Sequence, residues 1–179
     1  MTGIFATGIL VRELDQKLHV QVEGRATLVE GLTLRRFAEE RIAAGATAIW
    51  VDLCRCTYMD STFVGTLMVL SREIGRRGGE LAAVSPSAQC TRVLYRMGLD
   101  DFFPLRPVER DGGWTRLETS PQDAGAFKEG TFEAHRELAG VPGRAREQFL
   151  PVARAMEEEL KAEKPNGSRN EPGSVTTHK

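Results

Sequence analysis

Three adjacent polar side chains, Asp60-Ser61-Thr62, stand between an apolar run and an amphipathic one. In that position such residues satisfy the orphan N–H groups at the start of a helix, and an aspartate also complements the positive end of the helix dipole. The same place suits a phosphorylated serine, because helix N-terminal amides face an added anion. Phosphate on Ser61 would bring roughly −1.5 to −2 charges beside Asp60 and change a docking surface without unfolding what lies beneath. Spacing alone admits both readings, a helix cap and a modification site.

No other set of residues converges on chemistry. His19, His135 and His178 are scattered, and no two lie at metal-ligand spacing. Cys54-Arg55-Cys56 places two thiols near each other, but a zinc site needs about four ligands and no second cluster follows. A glycine-rich phosphate loop and a G-x-S-x-G elbow are both missing. The sequence therefore points to no enzyme, no metal and no cofactor.

The elements that position Asp60-Ser61-Thr62 follow from hydrophobic periodicity. Gly8–Leu14 and Leu18–Gly24 read as two strands joined at Asp15-Gln16-Lys17. In the second, Leu18, Val20 and Val22 alternate with His19, Gln21 and Glu23, the pattern of a strand wet on one face. Thr27 caps a predicted helix to about Ala44, with Leu34, Phe37, Ala38 and Ile42 as its apolar stripe. Ala46–Leu53 reads as a buried strand. The next helix runs to about Arg77, with Phe63, Leu67, Leu70 and Ile74 as a core stripe. Glu80–Ser85 is a further strand, and Ser87 caps a third helix that ends at Gly98. Strands alternating with helices over short connections imply parallel crossovers after an initial hairpin, hence an α/β fold with a mixed sheet.

The helix after Ser61 carries a second set of residues opposite its core stripe: Gly65, Met68, Val69, Arg72 and Arg76. Apolar side chains where solvent is expected, a glycine that permits close approach and bordering arginines have the composition of a modest protein-binding surface, and equally of ordinary scattered surface apolar residues. Beyond a first domain of residues 1–110 comes a polar linker, 111–122, then a helical extension, 123–163. In the extension Phe149, Val152, Met156 and Leu160 form a stripe that must bury against the first domain or, in a homodimer, against a second copy. Residues 164–179 lack apolar periodicity and are expected to be a disordered tail.

With 24 Lys+Arg against 25 Asp+Glu the chain carries a formal charge of −1, which argues against nucleic acid as a partner. Arg35-Arg36 and Arg76-Arg77 read as solvated helix faces. No apolar run is long enough for membrane insertion, and the first residues have no signal-peptide pattern. An odd count of three cysteines suits a reducing cytoplasm better than a disulfide framework.

Several of these residues carry a family resemblance. The strand Ala48-Ile49-Trp50-Val51-Asp52-Leu53, then Tyr58-Met59-Asp60-Ser61-Thr62, Gly78-Gly79-Glu80-Leu81, and Val93-Leu94 with Met97-Gly98-Leu99 resemble the STAS domain of bacterial anti-sigma-factor antagonists over about residues 8–107. The resemblance implies a STAS fold and a non-enzymatic role in partner switching, which regulates transcription in stress responses. Unphosphorylated, such a protein binds an anti-sigma factor that is itself a serine kinase. Phosphorylation releases it, and a PP2C-type phosphatase resets it. By position the phosphorylated serine is Ser61, with Thr62 a weaker second candidate. The implied partner surface comprises Asp60, Thr62, Val64, Gly65, Met68, Val69 and Arg72, flanked by Arg25 and Thr27 in the loop Gly24-Arg25-Ala26-Thr27. The family commonly continues with Gly-Leu/Val-Gly after the serine pair, whereas Phe63-Val64-Gly65 keeps only the last glycine. A second reading is similarity to the STAS subunit of bacterial lipid-transport ABC systems, a constitutive scaffold that contacts an ATPase without phosphorylation.

Overall fold

The computed structural model describes residues 6–106, 112–119 and 124–163; the tail expected over 164–179 lies outside them. In chain order the elements are β1 (Gly8–Leu14), β2 (Lys17–Ala26), α1 (Leu28–Ala43), β3 (Ala48–Asp52), β4 (Cys56–Met59), α2 (Ser61–Gly75), β5 (Glu80–Val84), α3 (Ala88–Met97), β6 (Leu105–Arg106), β7 (Thr115–Arg116), α4 (Ala124–Gly140) and α5 (Arg144–Glu163). The expected α/β fold with an N-terminal hairpin, a mixed sheet and a C-terminal helical part is what forms.

The sheet runs in the order β6-β5-β3-β2-β1-β7, with β4 paired to the far end of β2. β1 and β2 are antiparallel and meet at Leu14 and Lys17. Between them Asp15 and Gln16 both take positive φ, 48° and 60°, the geometry of a two-residue turn whose twist matches the strands it joins. β2, β3, β5 and β6 are parallel neighbours.

Register explains the core. Val11, Val20, Val51 and Ala83 stand opposite one another across four strands, and Leu18, Ile49 and Leu81 line up beside them. All seven are buried. Period-2 geometry puts them on one face of the sheet. Phe63, Leu67, Leu70 and Ile74 of α2 and Leu34, Ala38 and Ile42 of α1 belong to the same apolar core.

The opposite face of β2 departs from expectation. His19, Gln21 and Glu23 are buried rather than wet. β2 has neighbours on both edges, and their long side chains close over it. His19 meets Trp50 edge-to-face, Lys17 lies over the same indole, and Glu23 pairs with Arg55 and Arg116. Alternation along one strand records the pleat, but burial also depends on what the adjacent strands carry.

Three short strands, β4, β6 and β7, went unseen in the sequence. β4 is only four residues long, and β7 arises within the stretch read as a linker, pairing antiparallel with β1 at Leu10 and Val11. After α3, Leu99 and Phe103 pack back on the core, whereas Phe102 and Leu105 are exposed.

The helical extension folds back over α2. Leu138, Ala139, Ala145, Phe149 and Ala153 join the same core as the sheet residues. The α5 stripe is rotated from the expected one. Phe149 and Ala153 are buried while Val152 is exposed, because 149, 153, 156 and 160 follow the i, i+4, i+7, i+11 row and 152 falls off its edge.

Candidate functional site

The candidate site lies where β2 and β4 end together. Ala26 is opposite Met59, and Arg25 is opposite Tyr58 after an irregularity at Gly24, whose φ of 67° suits glycine. The Asp60 N–H donates to the Ala26 carbonyl at 3.1 Å. Parallel pairing thus brings the loop holding Arg25 and Thr27 beside the start of α2, joining two stretches more than thirty residues apart. Arg25 is exposed and its guanidinium sits 4.0 Å above the Tyr58 ring. Thr27 begins α1, and the Glu30 carboxylate accepts from both its N–H and its hydroxyl.

Within Asp60-Ser61-Thr62 the cap and the free hydroxyl are separated. Asp60 is the N-cap of α2: its Oδ1 accepts from the Phe63 N–H at 3.0 Å and from the Thr62 hydroxyl at 2.6 Å. Ser61 is the first residue of the helix, and its Oγ makes neither of these bonds. That hydroxyl instead lies 3.1 Å from Nε2 of His135, on α4.

His135 had no sequence signal beyond its place on an amphipathic helix. Its ring stacks on Phe149 of α5, with centroids 5.4 Å apart and planes inclined by 18°. Burial lowers the His135 pKa, partly opposed by the negative charge of Asp60. The neutral imidazole is therefore favoured beside Ser61, and its buried Nδ1 has no hydrogen-bond partner among the described residues.

The second face of α2 is not open to solvent. Val64, Gly65, Met68 and Val69 are all buried. A Cβ built on Gly65 would come within 2.5 Å of Ala134, so α4 crosses α2 with its backbone close at that point. Two helical turns further along α2, Arg72 forms an ion pair with Glu137. On the neighbouring α1, Arg35 reaches Glu133 of the same helix. Arg35 is therefore paired and half-buried, not on a solvated face. The apolar and basic residues expected to face solvent are covered by small, apolar and acidic residues of the chain's own extension. Arg76, at the far end of α2, stays exposed.

Elsewhere the chemistry is sparse. Cys56 and Cys90 are buried and Cys54 is exposed. The Cys56 thiol is pushed up by its hydrogen bond with Cys90 and by burial. Among the described residues, no three His, Cys, Asp or Glu side chains gather as a metal site, and no helix is long and apolar enough to cross a membrane.

With this geometry in view, comparison with known proteins assigns the class. The family described as Mlab, STAS domain, matches residues 9–107, more than half of the chain. The chain belongs to the STAS-domain family. Among solved structures it is similar to the anti-sigma factor antagonist SpoIIAA in its unphosphorylated form, at 20% identity and a TM-score of 0.52, over 57% of this chain and 89% of that one. It is also similar to an anti-sigma factor antagonist from Mycobacterium paratuberculosis, at 24% identity and a TM-score of 0.50, over 57% and 87% of the two chains. A putative anti-sigma factor antagonist from Thermotoga maritima aligns at 18% identity with a TM-score of 0.50, over 61% of this chain and 90% of that one. At these identities the likeness concerns the fold. No curated protein matches the chain.

Proposed function

We propose that this chain is a non-enzymatic, cytoplasmic anti-sigma-factor antagonist of a bacterial partner-switching pathway, with phosphate on Ser61 as its release signal. The observation that carries this reading is the division of labour at the start of α2. Asp60 caps the helix, which leaves the Ser61 hydroxyl outside the cap at a helix end whose amides favour an anion. The adjacent Arg25 and Thr27 supply the second loop of a docking surface, and the solved structures similar in fold carry the antagonist description. The partner on this reading is a serine-kinase anti-sigma factor, opposed by a PP2C-type phosphatase, and Thr62 is the weaker acceptor because its hydroxyl donates to Asp60.

The test is incubation of the full chain with its cognate kinase and ATP, followed by phosphopeptide mapping and a pull-down. Ser61→Ala should bind the kinase and resist release by ATP, Ser61→Asp should bind at least tenfold more weakly, and Thr62→Ala should behave as wild type. Equal binding by both Ser61 variants, with no phosphate incorporated into wild type, overturns the switch. A second reading, a constitutive STAS scaffold subunit bound to an ATPase, draws support from the contact that already occupies Ser61, His135 Nε2 at 3.1 Å. It predicts no stoichiometric phosphate at Ser61 and a complex indifferent to ATP.

A further inference from the structure

We propose that the α4–α5 hairpin is an intramolecular occupant of the α2 docking face, and that phosphate on Ser61 releases it. The inference rests on Ser61 being the modified residue and adds a regulatory layer to that reading. Three points along this face of α2, Ser61, Gly65 and Arg72, are each matched by something from the hairpin. Ala134 fills the close approach at Gly65, Glu137 pairs with Arg72, and His135 holds the Ser61 hydroxyl. Glu133 extends the cover to Arg35 of α1. A partner that docks on α2 must first displace α4.

The same contacts couple the cover to phosphate. At 3.1 Å the Ser61 oxygen and the imidazole nitrogen already touch, which leaves no room for a phosphoryl group between them. The imidazole is stacked on Phe149, a contact it gives up if it swings aside while the hairpin stays in place. α4 has no slack on the inner side, where Ala134 already sits against Gly65. Asp60, the N-cap of the same helix, adds a negative charge beside the new dianion. Burying a dianion without matched cations costs far more than exposing it. The outcome of least cost is a hairpin lifted from α2 over an intact sheet domain.

Phosphoserine placed at residue 61 by genetic code expansion tests this in the full chain without a kinase, so its result is independent of whether any kinase modifies Ser61. The readout is amide hydrogen exchange, segment by segment. Phosphoserine should lower protection of residues 124–163 at least tenfold relative to unmodified and Ser61→Ala chains, while residues 18–22 and 48–52 of the sheet keep theirs. Unchanged or increased protection of α4 overturns the proposal, the latter by showing that His135 binds the phosphate. Equal loss in hairpin and sheet also overturns it. As a second variant, Glu133→Arg with Glu137→Arg reverses both ion pairs from the hairpin side. It should expose residues 61–72 with the sheet still protected; if the sheet loses protection in step, the hairpin is a fixed part of the fold and not a cover.

Discussion

α2 is buried on two sides, and the sides are built differently. Toward the sheet, Phe63, Leu67, Leu70 and Ile74 enter a wholly apolar layer. Toward α4, Gly65, Met68 and Val69 lie in a strip that ends in a Ser61–His135 contact on one side and an Arg72–Glu137 ion pair on the other. The first is the construction of a domain core. The second, an apolar centre with a polar and charged rim, is the construction of an interface between separately folded partners. One helix thus serves as core on one side and seats the chain's own C-terminal hairpin on the other.

A matched pair of substitutions separates these two sides most sharply. Leu67→Asp places a charge in the sheet-facing core, where it has no route to water, and should cost about 4 kcal/mol or more, enough to unfold a domain of ordinary stability. Met68→Asp buries the same charge one residue away, under α4. There the chain has an escape, since lifting the hairpin hydrates the carboxylate. The cost is then bounded by the free energy of opening and should be about half as large. Urea unfolding followed by far-UV circular dichroism reads the first effect, and proteolysis between residues 112 and 124 reads the second. Equal, global unfolding by both variants would erase the distinction between core and cover.

The ion pair at the rim gives a smaller effect. Glu137 is mostly buried and Arg72 is half-exposed. Glu137→Gln leaves a guanidinium with a neutral acceptor and should destabilise the hairpin by about 1 kcal/mol. A double-mutant cycle with Arg72→Gln should recover a coupling of similar size, read from hydrogen exchange in α4. Zero coupling would place the stability of the cover wholly in its apolar centre.

How far the sequence reaches is clear from the same helix. Hydrophobic periodicity locates α1, α2 and α3 within a few residues, because each turns a continuous apolar stripe toward the core and has a capping residue at Thr27, Asp60 or Ser87. It misses β4, β6 and β7, whose few residues hold too little pattern and pair only because other strands are present. The second face of α2 is legible as a surface that wants a partner. Its occupant is not, since the match between Gly65 and Ala134, or Ser61 and His135, spans some seventy residues and exists only after folding. The buried polar row of β2 is hidden for the same reason. Its closure depends on Trp50, Arg55 and Arg116, which lie elsewhere in the chain.

The last test concerns the polar rim at Ser61 and uses proton concentration in place of mutation. Burial lowers the His135 pKa below its unfolded value of about 6.5. The folded state therefore binds this proton more weakly than the unfolded state does. The contribution of a neutral His135 is fully present above about pH 6.5 and is lost as pH falls through the depressed folded value. Because the ring belongs to α4 and faces α2, the loss should fall on the hairpin before it reaches the sheet. Protection of residues 124–163 should accordingly drop between pH 7 and 5, corrected for the intrinsic pH dependence of exchange, while residues 48–52 change little. His135→Gln keeps a hydrogen-bonding group within reach of Ser61 and has no titration in this range, so its profile should be flat across that window. An equal slope in wild type and His135→Gln would remove His135 from the rim and leave the apolar centre to hold the cover alone.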